Sequence, residues 1–422
     1  MKPVASLVAR NLAWLSAGEV VLKGALFGAG VLVARGLGPA AMGDFTVSYG
    51  AALALTLLLA AGQIEVIIRE VARRPAATGA LYRAARAWQG RIALVALPLA
   101  AVGALLVRVP SLRWTLAAFV PYAWLRCRLI TGGAVFKGLD RMEVEVSGRG
   151  AEVLLALVLL VPLALLGAPV WATGLAFTVG AGAGVMVIGA QLRRLGDARA
   201  GEIPASVLGR EGLGFFGLAL TSQVLTRVDT FLLASLGIAR EAIGRYGVAS
   251  APVWGSLALA QLLALAIYPT LARAAGRGTL RWPRVIALGG SGVALGLVIA
   301  TALVLVRGPL VRLVFGSAYL DAAPLLGVLA WALPGSCAGM MVGAVLASCG
   351  RQGWGLISRV VVLLAAVVGN LVAIPRWGPM GAAAVAVAVS YVGMLSAIGL
   401  AALAAAHPRN LAGSALVETA WE

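Results

Sequence analysis

The chain has 422 residues, of which 61% are hydrophobic and only 12% charged, and its mean hydropathy is +0.97. A soluble globular chain carries about 25% charged residues, so a water-soluble enzyme is excluded. The net charge of +18 would suggest nucleic acid in a soluble protein, but cationic residues also crowd the cytoplasmic loops of membrane proteins, and no nucleic-acid partner is expected.

Apolar runs bounded by Gly, Pro and Arg clusters predict twelve membrane spans, at about 11–35, 42–66, 92–107, 114–136, 150–167, 169–192, 212–236, 246–270, 285–306, 323–347, 353–374 and 380–404. A span takes roughly 20 apolar residues, so what remains is too little for a sizeable soluble domain. The expected fold is all-α and polytopic. The third and fifth runs are short, and the turn between the fifth and sixth is minimal. With the N-terminus inside, the inner segments hold 22 Lys and Arg and the outer loops 8. This bias predicts that both termini face the cytoplasm. The basic segment Glu70 to Gln89, with Leu81, Tyr82 and Trp88 interspersed, is expected along the inner headgroup layer.

Leu37-Gly38 leads into Gly43-Asp44-Phe45, and Leu236-Gly237 leads into Gly244-Arg245-Tyr246. The spans that follow end in Ala72-Arg73 and Ala272-Arg273. The offset is near half the chain, and both copies begin on the same side. A parallel repeat of two six-helix lobes, 1–205 and 206–422, is therefore expected. The three cysteines (Cys127, Cys337, Cys349) show no metal or disulfide spacing, and the single histidine, His407, follows the last run. No metal site, no cleaved signal peptide and no nucleotide-binding phosphate loop are expected.

The stretch Val33-Ala-Arg-Gly-Leu-Gly-Pro-Ala-Ala-Met-Gly-Asp-Phe45, followed by a span and Arg69-Glu-Val-Ala-Arg73, resembles the opening of the polysaccharide-biosynthesis flippases. These are the Wzx-type exporters of lipid-linked oligosaccharides, in the MOP superfamily with the MATE multidrug exporters and the lipid II flippase. Further resemblance lies in Phe136-Lys-Gly-Leu-Asp-Arg141, Arg227-Val-Asp-Thr-Phe-Leu-Leu233 with Gly244-Arg-Tyr246, Gly316-Ser-Ala-Tyr319, and Asn370 to Pro375 running into Gly378-Pro-Met-Gly381. The resemblance implies two pseudo-symmetric lobes around a central cavity. It also implies transfer of an undecaprenyl-diphosphate-linked glycan from the inner to the outer leaflet of a bacterial inner membrane, for cell-surface polysaccharide biosynthesis, without covalent chemistry. The polysaccharide polymerase machinery is an expected partner, beside the glycan and the membrane lipids. Lipid II flippases carry fourteen spans, so twelve argue against a peptidoglycan-precursor role.

An ionisable group inside a span is a functional candidate by default, because its burial in hydrocarbon costs from ~3 to over 10 kcal/mol. Glu19 and Lys23 share a helical face at i, i+4; either they line the cavity or they neutralise one another. Arg227 and Asp229 point about 200° apart, so one faces cargo and the other a neighbouring helix, with Arg227 favoured for cargo. Arg126 and Arg128 diverge equally, and one of them reaches for inner headgroups or serves structure. Lys23, Arg126, Arg128 and Arg227 are the candidate phosphate ligands, because a diphosphate needs fixed N–H donors. Gln223 and Asn370 are candidate sugar ligands, as are Gln63 and Gln261. Glu19, Asp229 and Glu65 are candidates for charge pairing or for coupling to H+ or Na+. Asp44, Glu65, Glu152 and Arg359 sit close enough to span ends to be interfacial. The competing reading is a MATE-like small-molecule antiporter, and the slight cationic excess inside the spans favours anionic cargo instead. A membrane enzyme would want clustered Asp, His or a large outer loop, and the chain has none.

Overall fold

The computed structural model describes residues 2–195, 205–276, 282–348 and 352–406; Cys349 and His407 lie outside them. Among the described residues the chain is helical almost throughout and contains no strand. The helices are α1 (Lys2–Ala60), α2 (Gln63–Arg73), α3 (Thr78–Leu105), α4 (Pro110–Gly138), α5 (Met142–Leu165), α6 (Trp171–Arg194), α7 (Ala205–Ser235), α8 (Arg240–Gly276), α9 (Trp282–Val314), α10 (Ala322–Leu329), α11 (Ala332–Ser348) and α12 (Gln352–Ala406).

Two of these are pairs of spans. Helix α1 turns at Gly38 (φ 83°) before Pro39, and α12 at Gly378 (φ 56°) before Pro379. Glycine alone enters these backbone conformations without strain, and the proline behind it is pre-set for the first turn of the next helix. Conversely, α10 and α11 make one passage interrupted at Ala330 and Trp331, so the helices answer the predicted runs one for one. Eight stretches are long and apolar enough to cross a membrane by length and composition. Large apolar side chains such as Leu94, Leu165, Val298, Leu305 and Leu364 are at least 60% exposed, the surface a chain presents to lipid rather than water.

The boundaries differ from the expected runs at three places. Helices α3 and α5 start well before their apolar runs, because their first turns are held by packing: Leu81, Ala84 and Ala85 of α3 bury against Val66, Ile67 and Val135, and Val144 of α5 against Leu129, Phe136 and Ile188. The second span stops at Ala60 and resumes as α2, whose Val66, Ile67 and Val71 are buried while Glu65, Arg73 and Arg74 are exposed. The segment Glu70 to Gln89 is consequently an elbow made of the end of α2, a short 3-10 turn (Pro75–Ala77) and the first turns of α3.

The chain divides into two compact units, Met1–Val248 with Pro309–Ala322, and Ala249–Gly308 with Ala323–Glu422. The first unit is cored by Phe45 and Tyr49 of α1, Phe119 and Tyr122 of α4 and Phe177 of α6, with neighbouring ring centroids 5.2–6.1 Å apart. In the second unit the α10–α11 passage is the most enclosed of the candidate spans, with 72% of its window buried. Leu271, Val285, Val342, Leu346 and Ala401 form a core around its end.

Candidate functional site

The repeated segments meet inside the first unit. A Cβ on Gly43 would lie 2.1 Å from the Arg240 carbonyl oxygen, and one on Gly244 would lie 2.1 Å from the Pro39 carbonyl oxygen. Positions 39 and 43 relate to 240 and 244 by the same offset, so each copy offers the other the same surface. Gly38 and Gly237, just ahead, both hold positive φ, 83° and 75°. The two Gly–aromatic segments thus cross closely, and glycine is required because the backbones touch.

Beside the crossing, the Asp44 carboxylate is 1% exposed and accepts a hydrogen bond from Arg240 Nη1 at 2.9 Å; Arg240 also donates to the Ser111 hydroxyl. Together with Gly36, Gly167 and Val170 they line a cavity of about 330 Å³. Asp44 is therefore not the interfacial residue expected. Its charge is inside the protein because a cation from the other repeat neutralises it.

Asp229 and Arg227 diverge on α7 as their spacing requires. Asp229 is buried, accepting from the Tyr246 hydroxyl on α8 and from the Thr230 backbone N–H at 2.7 Å. Arg227 lies against Gly50, where a Cβ would sit 3.6 Å from Arg227 Cδ, an ordinary contact distance. The Arg227 Nε is buried without a hydrogen-bond partner among the described residues.

Glu19 and Lys23 do face each other, with Nζ 4.0 Å from Oε2, but Glu19 has a closer partner in Arg149 of α5. Arg149 also reaches Glu145 at 3.4 Å, and Lys137 reaches Glu145 at 3.1 Å. The result is a continuous ionic chain from α1 through α5 to the end of α4. Arg149 had counted as a loop cation; because α5 begins at Met142, it lies two turns inside a helix. On α4, Arg126 pairs with Glu152, which also accepts from the Tyr122 hydroxyl at 3.0 Å. Glu152 is fully buried, a second correction to the interfacial reading. Its partner stands on another helix, which no spacing within one segment reveals.

Arg128 turns the other way, its guanidinium 5.4 Å from the Trp124 ring centroid. Gln63 is buried and accepts from Gln89 Nε2 at 3.3 Å, and the same Nε2 donates to the Thr131 hydroxyl at 2.9 Å. Asn370 is buried; its amide donates to the Ala366 carbonyl of its own helix at 2.8 Å, and its Oδ1 has no partner among the described residues. Gln223 is half-buried and Glu65 is exposed. Among the residues proposed from sequence, Glu19 and Lys23 are brought together, whereas Arg227 and Asp229 point apart on one helix. Tyr122, Glu145, Arg149 and Arg240 are partners of these charges that spacing along the sequence does not reveal.

These features define a multi-pass, all-helical membrane protein with ion pairs between its helices. The chain belongs to the polysaccharide biosynthesis protein family, whose model matches residues 8–275. No curated protein sequence matches the chain. Among solved structures it is similar to a MATE-family multidrug resistance transporter in an inward-facing conformation (TM-score 0.75, 16% identity, 90% of this chain and 94% of that one). It is also similar to the lipid II flippase MurJ (TM-score 0.71, 11% identity, 91% and 86%). A third similar structure is a MOP superfamily transporter from Pyrococcus furiosus, described as having a binding pocket of reverse polarity (TM-score 0.67, 18% identity, 95% of each chain). At these identities the likeness is one of fold.

Proposed function

We propose that the chain is a flippase that moves a lipid-linked (undecaprenyl-diphosphate) oligosaccharide from the inner to the outer leaflet of the bacterial inner membrane by alternating access between two six-helix lobes, with both termini cytoplasmic. The observation that supports anionic cargo is the state of the buried charges. The carboxylates of Glu19, Asp44, Glu145, Glu152 and Asp229 each have a protein partner. Arg227 has no carboxylate partner at ion-pair distance among the described residues and keeps a buried, unpartnered Nε. Such a cation is costly in a membrane unless an anion visits it. Arg227 and Lys23 are the proposed phosphate ligands and Gln223 a sugar ligand. Arg126 is occupied by Glu152, and the amide nitrogen of Asn370 by its own helix, which leaves the Asn370 Oδ1 as its one open group among the described residues.

No nucleotide is needed. A diphosphate of charge −2 moving outward across ~100 mV gains about 4.6 kcal/mol, and Glu19 is our candidate for exchanging H+ or Na+ when cargo draws both Lys23 and its closer partner Arg149 away. Arg227→Gln is expected to reduce glycan export at least tenfold at unchanged membrane abundance, with Arg227→Lys recovering part of it. The measurement is appearance of the glycan on the outer face of cells or of vesicles held at a fixed potential. Wild-type export in both Arg227→Gln and Lys23→Gln would remove these residues from the site. Drug efflux without glycan export would establish the antiporter reading in its place.

A further inference from the structure

Two arginines on adjacent helices of the first unit, Arg86 of α3 and Arg128 of α4, share one tyrosine and no carboxylate. The Arg86 guanidinium lies 5.7 Å from the Tyr82 ring centroid. Arg128 stacks on Trp124 at 5.4 Å and hydrogen-bonds the Tyr82 side chain, close enough to Arg86 for the two charges to repel. Neither arginine forms an ion pair among the described residues, and the Arg128 Nε is buried with no hydrogen-bond partner. Elsewhere in this unit Arg126, Lys137, Arg149, Arg240 and Arg245 each have a carboxylate. Arg227 shares this lack of a carboxylate, but Arg86 and Arg128 stand side by side.

Its position is on the lipid-facing side. On α4, Trp114, Pro121 and Arg128 recur at seven-residue spacing, which drifts only ~20° per repeat on an α-helix; Trp114 is 55% exposed and Pro121 is also exposed. On α3, Arg83, Arg86, Ala87 and Arg91 are exposed, and Leu94 above them is 78% exposed. Arg86 lies eight residues from the start of α3 and Arg128 ten from the end of α4, so both stand about 12–15 Å from the same end of the helix pair at 1.5 Å per residue. Tyr82 and Trp124 beside them are the residue types that collect at the membrane interface, and an arginine set a few ångströms below it reaches the headgroups by snorkelling. The rings hold each guanidinium flat, and its N–H edge is the geometry that meets a phosphate bidentately.

We propose that Arg86 and Arg128, positioned by Tyr82 and Trp124, form a site on the outer groove between α3 and α4 that holds the phosphate of an anionic phospholipid of the adjacent leaflet, the cytoplasmic one in the topology proposed above. One bound phosphodiester relieves the repulsion and satisfies the orphan Nε. The exposed Arg83 and Arg91 nearby favour a lipid of net negative charge over a zwitterionic one, as basic pockets on the cytoplasmic side of helix pairs do.

The test is native mass spectrometry of the delipidated full chain with phosphatidylglycerol, cardiolipin, phosphatidylcholine and a polyprenyl diphosphate as separate probes. Wild type is expected to retain the anionic lipids roughly thirtyfold better than phosphatidylcholine, with Arg86→Gln losing about fivefold and Arg86→Gln/Arg128→Gln abolishing the preference. Arg86→Lys should restore most of it. Because Arg86 is exposed, its single variant reads out binding even if changing Arg128 disturbs folding. Equal retention of charged and zwitterionic lipids by wild type would overturn the proposal, as would an undiminished preference in Arg86→Gln. Displacement of phosphatidylglycerol by the polyprenyl diphosphate at equal concentration would also overturn it and assign the site to cargo. The readout involves no transport, so it stands or falls apart from the flippase reading.

Discussion

Gly43→Val is expected to destabilise the folded chain by about 3 kcal/mol, the upper part of the range for overpacking a tight contact. Its Cβ would start 2.1 Å from the Arg240 carbonyl oxygen, so α1 and α8 must separate by more than an ångström before any branch of the valine is placed. That separation also pulls Arg240 from Asp44, now 2.9 Å apart, and leaves a buried carboxylate uncompensated. Gly244→Val should be matched in size, because it meets the Pro39 carbonyl at the same distance. Gly24→Ala is the control: it lies on the same helix, a Cβ there meets nothing within 4 Å, and it should be neutral or stabilising by up to about 1 kcal/mol. Denaturant titration in micelles, followed by helical ellipticity, ranks the three variants. A loss below 1 kcal/mol for both valine variants would mean that the crossing is not a rigid contact.

That crossing also shows what the sequence made legible. The spans were readable because an apolar run of about 20 residues has one physical use, and the glycines of the Gly–aromatic segments mark a close approach of backbones. The divergence of Arg126 from Arg128 followed from helical geometry alone: one reaches Glu152 on α5, the other Tyr82 on α3. The break at Ala61 and Gly62 was hidden inside an apolar run: both residues take positive φ (48° and 71°), and a Cβ on Gly62 would lie 2.1 Å from the Gly212 carbonyl oxygen, a contact with a distant helix that the local sequence does not announce. Pairings between helices were not readable. Asp44 with Arg240, Glu19 with Arg149, and Arg126 with Glu152 join residues 196, 130 and 26 positions apart, and a charge near a span end looks the same whether it meets headgroups or a partner inside the protein. The assignment of Glu152 to the interface failed for that reason.

The second large effect is expected at that same residue. Glu152→Ala removes the carboxylate that neutralises Arg126 and accepts from Tyr122, inside a core closed by Tyr49, Phe119 and Phe177. A buried ion pair that loses one partner costs about 3–5 kcal/mol, because the remaining charge stays desolvated, whereas replacing both partners with apolar groups of similar volume is often close to neutral. Glu152→Leu/Arg126→Met should therefore recover most of what Glu152→Ala loses, and Glu152→Gln, which keeps an acceptor for the tyrosine, should fall between them. The same micellar titration measures the series. Recovery in the double variant with export intact would make the pair a structural filler of the first unit. Recovery of folding with export lost would mean that the charges, and not just the volume they occupy, serve transport. If the double variant is no more stable than Glu152→Ala, the two residues are not energetically coupled, and the stability of this bundle rests on its aromatic core alone.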